Sequence, residues 1–253
     1  MITTAAHEAP LLMRPHLVRE TLEGRKTQTR RIVDLDSLKV RLRHEVRSDW
    51  PMVAPGLVAP AGVYRAHMNQ HGAVSVILDG GMLGVKPGEF DFVCPYAAGR
   101  THLGDYGDGR KRWTLEPEAS RLWVREAHAL VPVTAYRCSE GVQQIVNPAD
   151  PDQAAIYRAG WERCTGGLRW RPSIHMPRWA CRLGLDVASV RLEHLQEITL
   201  GDCVAEGCPR EEWYMVAGGA LKWFRTSWDA INGQRASWSE NPWVWAISFR
   251  RAQ

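Results

Sequence analysis

Gly24-Arg25-Lys26-Thr27-Gln28-Thr29-Arg30-Arg31-Ile32-Val33 joins a helix to a strand. On its N-terminal side, residues 11–23 read as a short helix. Pro15 sits where a helix can start, Leu17, Val18 and Leu22 share a face, and Gly24 is a natural stop. On its C-terminal side the basic run gives way to the strand-like Ile32-Val33.

Moving outward, the strand signals multiply. Arg121-Leu122-Trp123-Val124-Arg125-Glu126 alternates apolar and charged residues, the pattern of a half-buried strand. Residues 179–193 alternate again through Trp179, Cys181, Leu183, Leu185 and Val187, and Trp243 to Arg250 reads as a last strand. Short β-like runs at Val74–Leu78 and Phe90–Val93 are separated by glycine and proline turns. Helices are few: one after a cap formed by Thr199 with Asp202, one over 219–232, and a short one around Gln153–Trp161. Residues 97–119 are rich in Gly, Arg and Asp and read as an inserted surface loop. The pattern predicts one α+β domain over 1–253, a small β-barrel with flanking helices and long loop insertions.

Bulk properties narrow the function. With 45% hydrophobic and 24% charged residues the chain has a globular, not a disordered, composition. Its net charge of +4 fits an anionic partner without demanding nucleic acid. No run reaches the roughly 18 apolar residues of a membrane span. Met1 to Pro10 lacks the basic start and apolar core of a signal peptide, so a cytoplasmic location with no membrane partner is expected. The six cysteines are scattered without paired C-x2-C knuckles, so reduced thiols and no metal or other cofactor are expected. There is no GxGxxG, P-loop, HExxH or G-x-S-x-G, which leaves dinucleotide, NTP, zincin and serine-hydrolase chemistry unsupported. Twelve tryptophans, concentrated after residue 160, are expected mostly in the core, although indole rings can also stack on bases.

The segment Gly24–Arg31 resembles the signature of the ASCH family, which has a PUA-like barrel fold. Further segments resemble its longer phage and prophage members: Cys94-Pro95-Tyr96, Leu122–Glu126, Arg169-Trp170-Arg171-Pro172-Ser173-Ile174-His175-Met176-Pro177-Arg178-Trp179, Ala205-Glu206-Gly207, Trp228–Gly233 and Asn241-Pro242-Trp243-Val244-Trp245. They follow one another in the expected order along nearly the whole chain. One departure stands out. Between Tyr96 and Leu122, where such relatives carry a short turn, this chain has about two dozen residues.

The resemblance implies an N4-acetylcytidine-type amidohydrolase with a Lys, Thr and Glu set, which falls on Lys26, Thr29 and Glu206. A threonine hydroxyl can attack an amide if a base lies beside it. A lysine can be that base only when neutral, through burial or neighbouring cations such as Arg25, Arg30 and Arg31. Lys26 and Thr29, three apart, would face opposite sides of a regular strand, so the chain must turn between them. Arg25, Trp170, His175 and Arg178 are the candidate substrate contacts. In isolation Lys26 and Thr29 would be a solvated surface pair, and Glu206 an ordinary helix carboxylate. The expected partner is a modified cytosine nucleoside. The alternatives are an RNA-binding module, with RNA as the partner, and an ASCH-type ribonuclease.

Overall fold

A computed structural model describes residues 7–47, 57–79, 81–105, 111–163, 166–214 and 218–252. Strands make up 43% and helices 21%, which places the fold in the α+β class.

The largest sheet is organised by its longest strand, Gly184–His194. Along one edge it pairs antiparallel with Trp243–Arg251 over nearly its whole length, from Leu185 opposite Arg251 to His194 opposite Trp243. Trp243–Arg251 in turn carries Gln28–Ile32, with Thr29 opposite Ile247. The other edge is shared end to end. Ser120–Arg125 pairs with its first half and Lys111–Pro117 with its second. Beyond these lie His7–Leu12, parallel to Ser120–Arg125, and Gly99–Asp105, antiparallel to Lys111–Pro117. That side therefore splits into two arms, and no ladder among the described residues joins either arm back to Gln28–Ile32. The expected barrel is thus not found: none of the sheets closes.

Packing of one sheet on another takes the place of closure. A five-stranded sheet, built on Lys39–Leu42, Gly62–Met68, Val74–Leu78, Gly81–Val85 and Phe90–Phe92, shares one core with the large sheet. Phe92 meets Trp113 and Trp245 edge to face, at 5.6 and 5.9 Å between centroids. A three-stranded sheet of His128–Pro132, Ile145–Asn147 and Asp150–Tyr157 has its own small core around Val131, Ile156 and Trp161.

Four α-helices complete the described residues. α1 (Pro15–Leu22) starts on its proline and is followed by Gly24 at φ +76. α2 (Leu200–Ala205) carries the expected Thr199–Asp202 capping box. α3 (Arg210–Tyr214) is short. α4 (Gly219–Asn232) buries Ala220, Phe224 and Trp228, a four-residue spacing that keeps one face against α2. Truncating Phe224 there would cost about 3–5 kcal/mol. None of the described helices is long and apolar enough to cross a membrane.

Three other expectations need correction. The region 97–119 is not a loop but a hairpin whose two strands extend the large sheet, with residues 106–110 outside the described set. Three of its polar residues, Thr101, Arg112 and Thr114, are buried and disguise it. Thr101 Oγ1 accepts from Phe92 N at 2.8 Å, and Gly99 is required because a Cβ there would sit 1.9 Å from the Glu116 carbonyl oxygen. The helix expected around Gln153–Trp161 is mostly the strand Asp150–Tyr157, whose Ala154–Tyr157 run is buried on both faces and so shows no alternation. The strand expected from Trp179 begins at Gly184, after a 3-10 turn over Arg178–Ala180. Cys94, Cys138, Cys181 and Cys203 are free thiols and Cys208 is buried, while Cys164 and residues 1–6 of the N-terminus lie outside the described residues.

Candidate active site

The turn required between Lys26 and Thr29 lies just upstream of the strand. After α1, the amides of Arg25 and Lys26 both donate to the Glu20 carbonyl, at 2.9 and 3.0 Å. Thr27 N then donates to Ala205 O at the end of α2, and Thr27 O accepts from Phe249 N, each at 2.8 Å. Lys26 is thereby fixed among α1, α2 and the last strand. Glu206 caps α2, and Gly207 turns away at φ +97. A Cβ on Gly207 would stand 3.4 Å from Lys26 Cβ and 3.3 Å from Glu20 Cβ, so a glycine lets the two segments meet.

The Lys26 side chain is buried, and its Nζ donates to Gln28 O at 2.7 Å, Glu206 O at 2.9 Å and Glu206 Oε2 at 2.7 Å. Burial pushes its pKa down. The Glu206 carboxylate opposes that shift, and Arg31 and Arg30 reinforce it. Arg25, also expected to contribute, points elsewhere, into ion pairs with Glu20 and Glu23 at the surface.

The second oxygen of Glu206 is held by Arg30, whose Nη1 donates to Glu206 Oε1 at 3.1 Å and to Gln28 Oε1 at 2.8 Å. Arg30 Nη2 reaches Glu193 Oε1 at 2.7 Å and Asp202 Oδ2 at 3.2 Å. Arg191 bridges the same two carboxylates, at 3.0 and 2.9 Å. Burial alone would raise Asp202, but Arg30, the Thr199 amide and Arg191 outweigh it and hold the carboxyl below its ordinary value. This network fixes the carboxylate that faces Lys26. Arg30, Glu193, Asp202 and Arg191 were not singled out from sequence as site residues.

Lys26, Thr29 and Glu206 line one small cavity of about 60 Å³, walled on the far side by Trp223, Phe224, Ser227 and Ile231 of α4. His16 lines it too, and burial lowers its pKa, with Arg14 adding to the effect. No residue among those described hydrogen-bonds the Thr29 hydroxyl, although Thr29 is only 4% exposed. At Arg30, Arg31 and Asn232 this cavity adjoins a larger groove of about 390 Å³, lined also by Pro10, Leu12, Ser37, Tyr96, Arg235 and Trp245.

The remaining expected contacts line neither space. His175 is exposed in a 3-10 turn. Arg178 pairs with Glu8 at 3.1 Å and lies over Trp123, as Arg125 also does. Trp170 packs edge-on to Trp161 in the core of the three-stranded sheet. Among the described residues no group of three His, Cys, Asp or Glu side chains is arranged to hold a metal ion.

No family model, no curated protein and no solved structure matches this chain.

Proposed function

We propose that the chain is an ASCH-type protein with a PUA-like ancestry, and that it hydrolyses the acyl amide on N4 of modified cytosine nucleosides. One observation carries the reading: a buried lysine with a depressed pKa, a carboxylate bonded to it, and an unengaged threonine hydroxyl line a single cavity.

The three bonds from Lys26 Nζ describe a resting ammonium, while burial favours the amine. The acting form carries Lys26 as the neutral amine, free to accept a proton. Lys26 takes the Thr29 proton as Thr29 Oγ bonds to the acyl carbon. The carbon–N4 bond then breaks, and the Lys26–Glu206 pair returns a proton to the departing cytosine amine. Water, deprotonated by the same pair, attacks the acyl-threonine, releases the carboxylic acid and restores the hydroxyl. Arg30 keeps Glu206 aligned throughout.

Incubation with N4-acetylcytidine, followed by the ultraviolet change to cytidine, tests the activity. Mass spectrometry of a quenched reaction should find the acyl group on Thr29. Absence of turnover together with tight binding of single-stranded RNA would favour the RNA-binding alternative.

A further inference from the structure

The small cavity bounds what can sit beside Lys26. A single water needs roughly 10–15 Å³ of such space, so about 60 Å³ admits a short acyl group but not a nucleoside. The base and sugar must then occupy the adjoining groove of about 390 Å³, a volume suited to one small ligand.

That groove carries two arginines that form no salt bridge among the described residues. Arg30 is balanced by Glu193, Asp202 and Glu206. Arg31 forms no salt bridge among the described residues: its guanidinium donates to the Leu12 carbonyl at 2.6 Å, and Tyr96 and Glu206 act on it only through longer-range charge. It lines both spaces and stands where they meet. The exposed Arg235 side chain likewise has no partner among the described residues. Among the described lining residues Asp34 is the one acidic side chain; it is exposed and accepts from Asp36 N at 3.2 Å. Two guanidiniums without a salt-bridge partner among the described residues line this groove with Tyr96, Ser37 and Asn232, a lining suited to a dianionic oxyanion, which arginine serves best.

We infer that the groove binds the phosphate of a cytosine mononucleotide through Arg31 and Arg235, so that the preferred substrate is an N4-acylated nucleoside monophosphate. The inference rests on the amidohydrolase reading for its acyl group, but the phosphate site can be tested without turnover.

Binding of cytidine, cytidine 5′-monophosphate and a short single-stranded RNA to the full chain can be measured by calorimetry. The monophosphate should bind at least about tenfold tighter than cytidine, and the gap should close in Arg235→Ala and in Arg31→Gln. Arg235 is exposed, so its replacement leaves the core alone. In turnover, the ratio of kcat/KM for N4-acetylcytidine 5′-monophosphate over N4-acetylcytidine should fall toward one in the same variants. Arginine-dependent binding of the monophosphate without hydrolysis would uphold the phosphate site and remove the amidohydrolase. Equal binding of cytidine and its monophosphate, or a gap that survives both substitutions, would overturn the inference. So would RNA binding tighter than the monophosphate through the same arginines, which would make the ligand a strand.

Discussion

Two buried ion pairs anchor opposite kinds of region. Lys26 holds Glu206 at 2.7 Å, with side chains 1% and 7% exposed, and Arg182 holds Glu126 at 2.8 Å, with side chains 7% and 1% exposed. By burial and distance they are equivalent, yet their surroundings differ. Arg182 grips both oxygens of Glu126 in a planar fork and lies over the Tyr157 ring at 4.0 Å. A guanidinium keeps its proton, so that pair can only hold the three-stranded sheet against the rest of the chain. Lys26 can lose its proton, and its pair opens onto a cavity shared with a hydroxyl. On the proposed function, what would separate a structural pair from a reactive one is the identity of the cation and what the carboxylate looks out on.

The strongest way to break this contrast is to delete each cation. Lys26→Ala and Thr29→Ala should each lower kcat/KM on N4-acetylcytidine by about a thousandfold or more, and the double variant should lose little beyond the worse single. Lys26→Arg should fail equally, because it converts the reactive pair into the structural kind. Arg182→Ala should instead cost about 3–5 kcal/mol of stability by stranding Glu126, while the folded fraction keeps its turnover. Denaturant midpoints beside initial rates would show whether the two effects separate. If Arg182→Ala abolished turnover in fully folded protein, the division would collapse.

A moderate effect should appear in pH profiles. Burial leaves Lys26 with a folded pKa below its unfolded value of about 10.4. Between those two values the unfolded chain binds the extra proton, so stability rises with pH across that window. Lys26→Met should flatten this alkaline rise. Activity should grow along the same limb as the amine appears. Glu206 raises the Lys26 pKa, so the residual activity of Glu206→Gln should show the limb displaced toward lower pH. A limb that stays in place in that variant would mean that another group titrates.

Which parts could be read from the sequence follows from what makes each signal local. The helix over 219–232 and the strand near 121–126 were legible because their periodicity is set within a few residues. The Thr199–Asp202 cap was legible for the same reason. Lys26, Thr29 and Glu206 stood out only through a family resemblance, since 180 positions separate Lys26 from the carboxylate it meets. Arg30 was read only as a cation beside Lys26, and Glu193 gave no signal: their pairing appears only when two strands of one sheet bring them together. The hairpin at 97–119 was hidden by buried polar residues and a sterically required Gly99. His175, Arg178 and Trp170 belong to a resembling segment, but that segment packs around Trp123 and Trp161, away from the lysine.

The smallest expected effect separates two glycines beside Lys26. Gly24 and Gly207 both adopt left-handed backbone, at φ +76 and +97, so an alanine at either costs about 1–2 kcal/mol in backbone strain. Their surroundings differ. A Cβ on Gly24 meets nothing within 4 Å, whereas one on Gly207 presses on Lys26 Cβ at 3.4 Å and Glu20 Cβ at 3.3 Å. Gly24→Ala should therefore lower the denaturant midpoint without altering kcat. Gly207→Ala should lower it by a similar amount and also displace Lys26 by a few tenths of an ångström against Glu206. Because a base acts through alignment with the proton it removes, that shift should reduce kcat several-fold while KM changes little. Equal kcat in the two variants, at equal loss of stability, would show that the contact with Gly207 does not position Lys26 and that the bonds to Gln28 and Glu206 hold it alone.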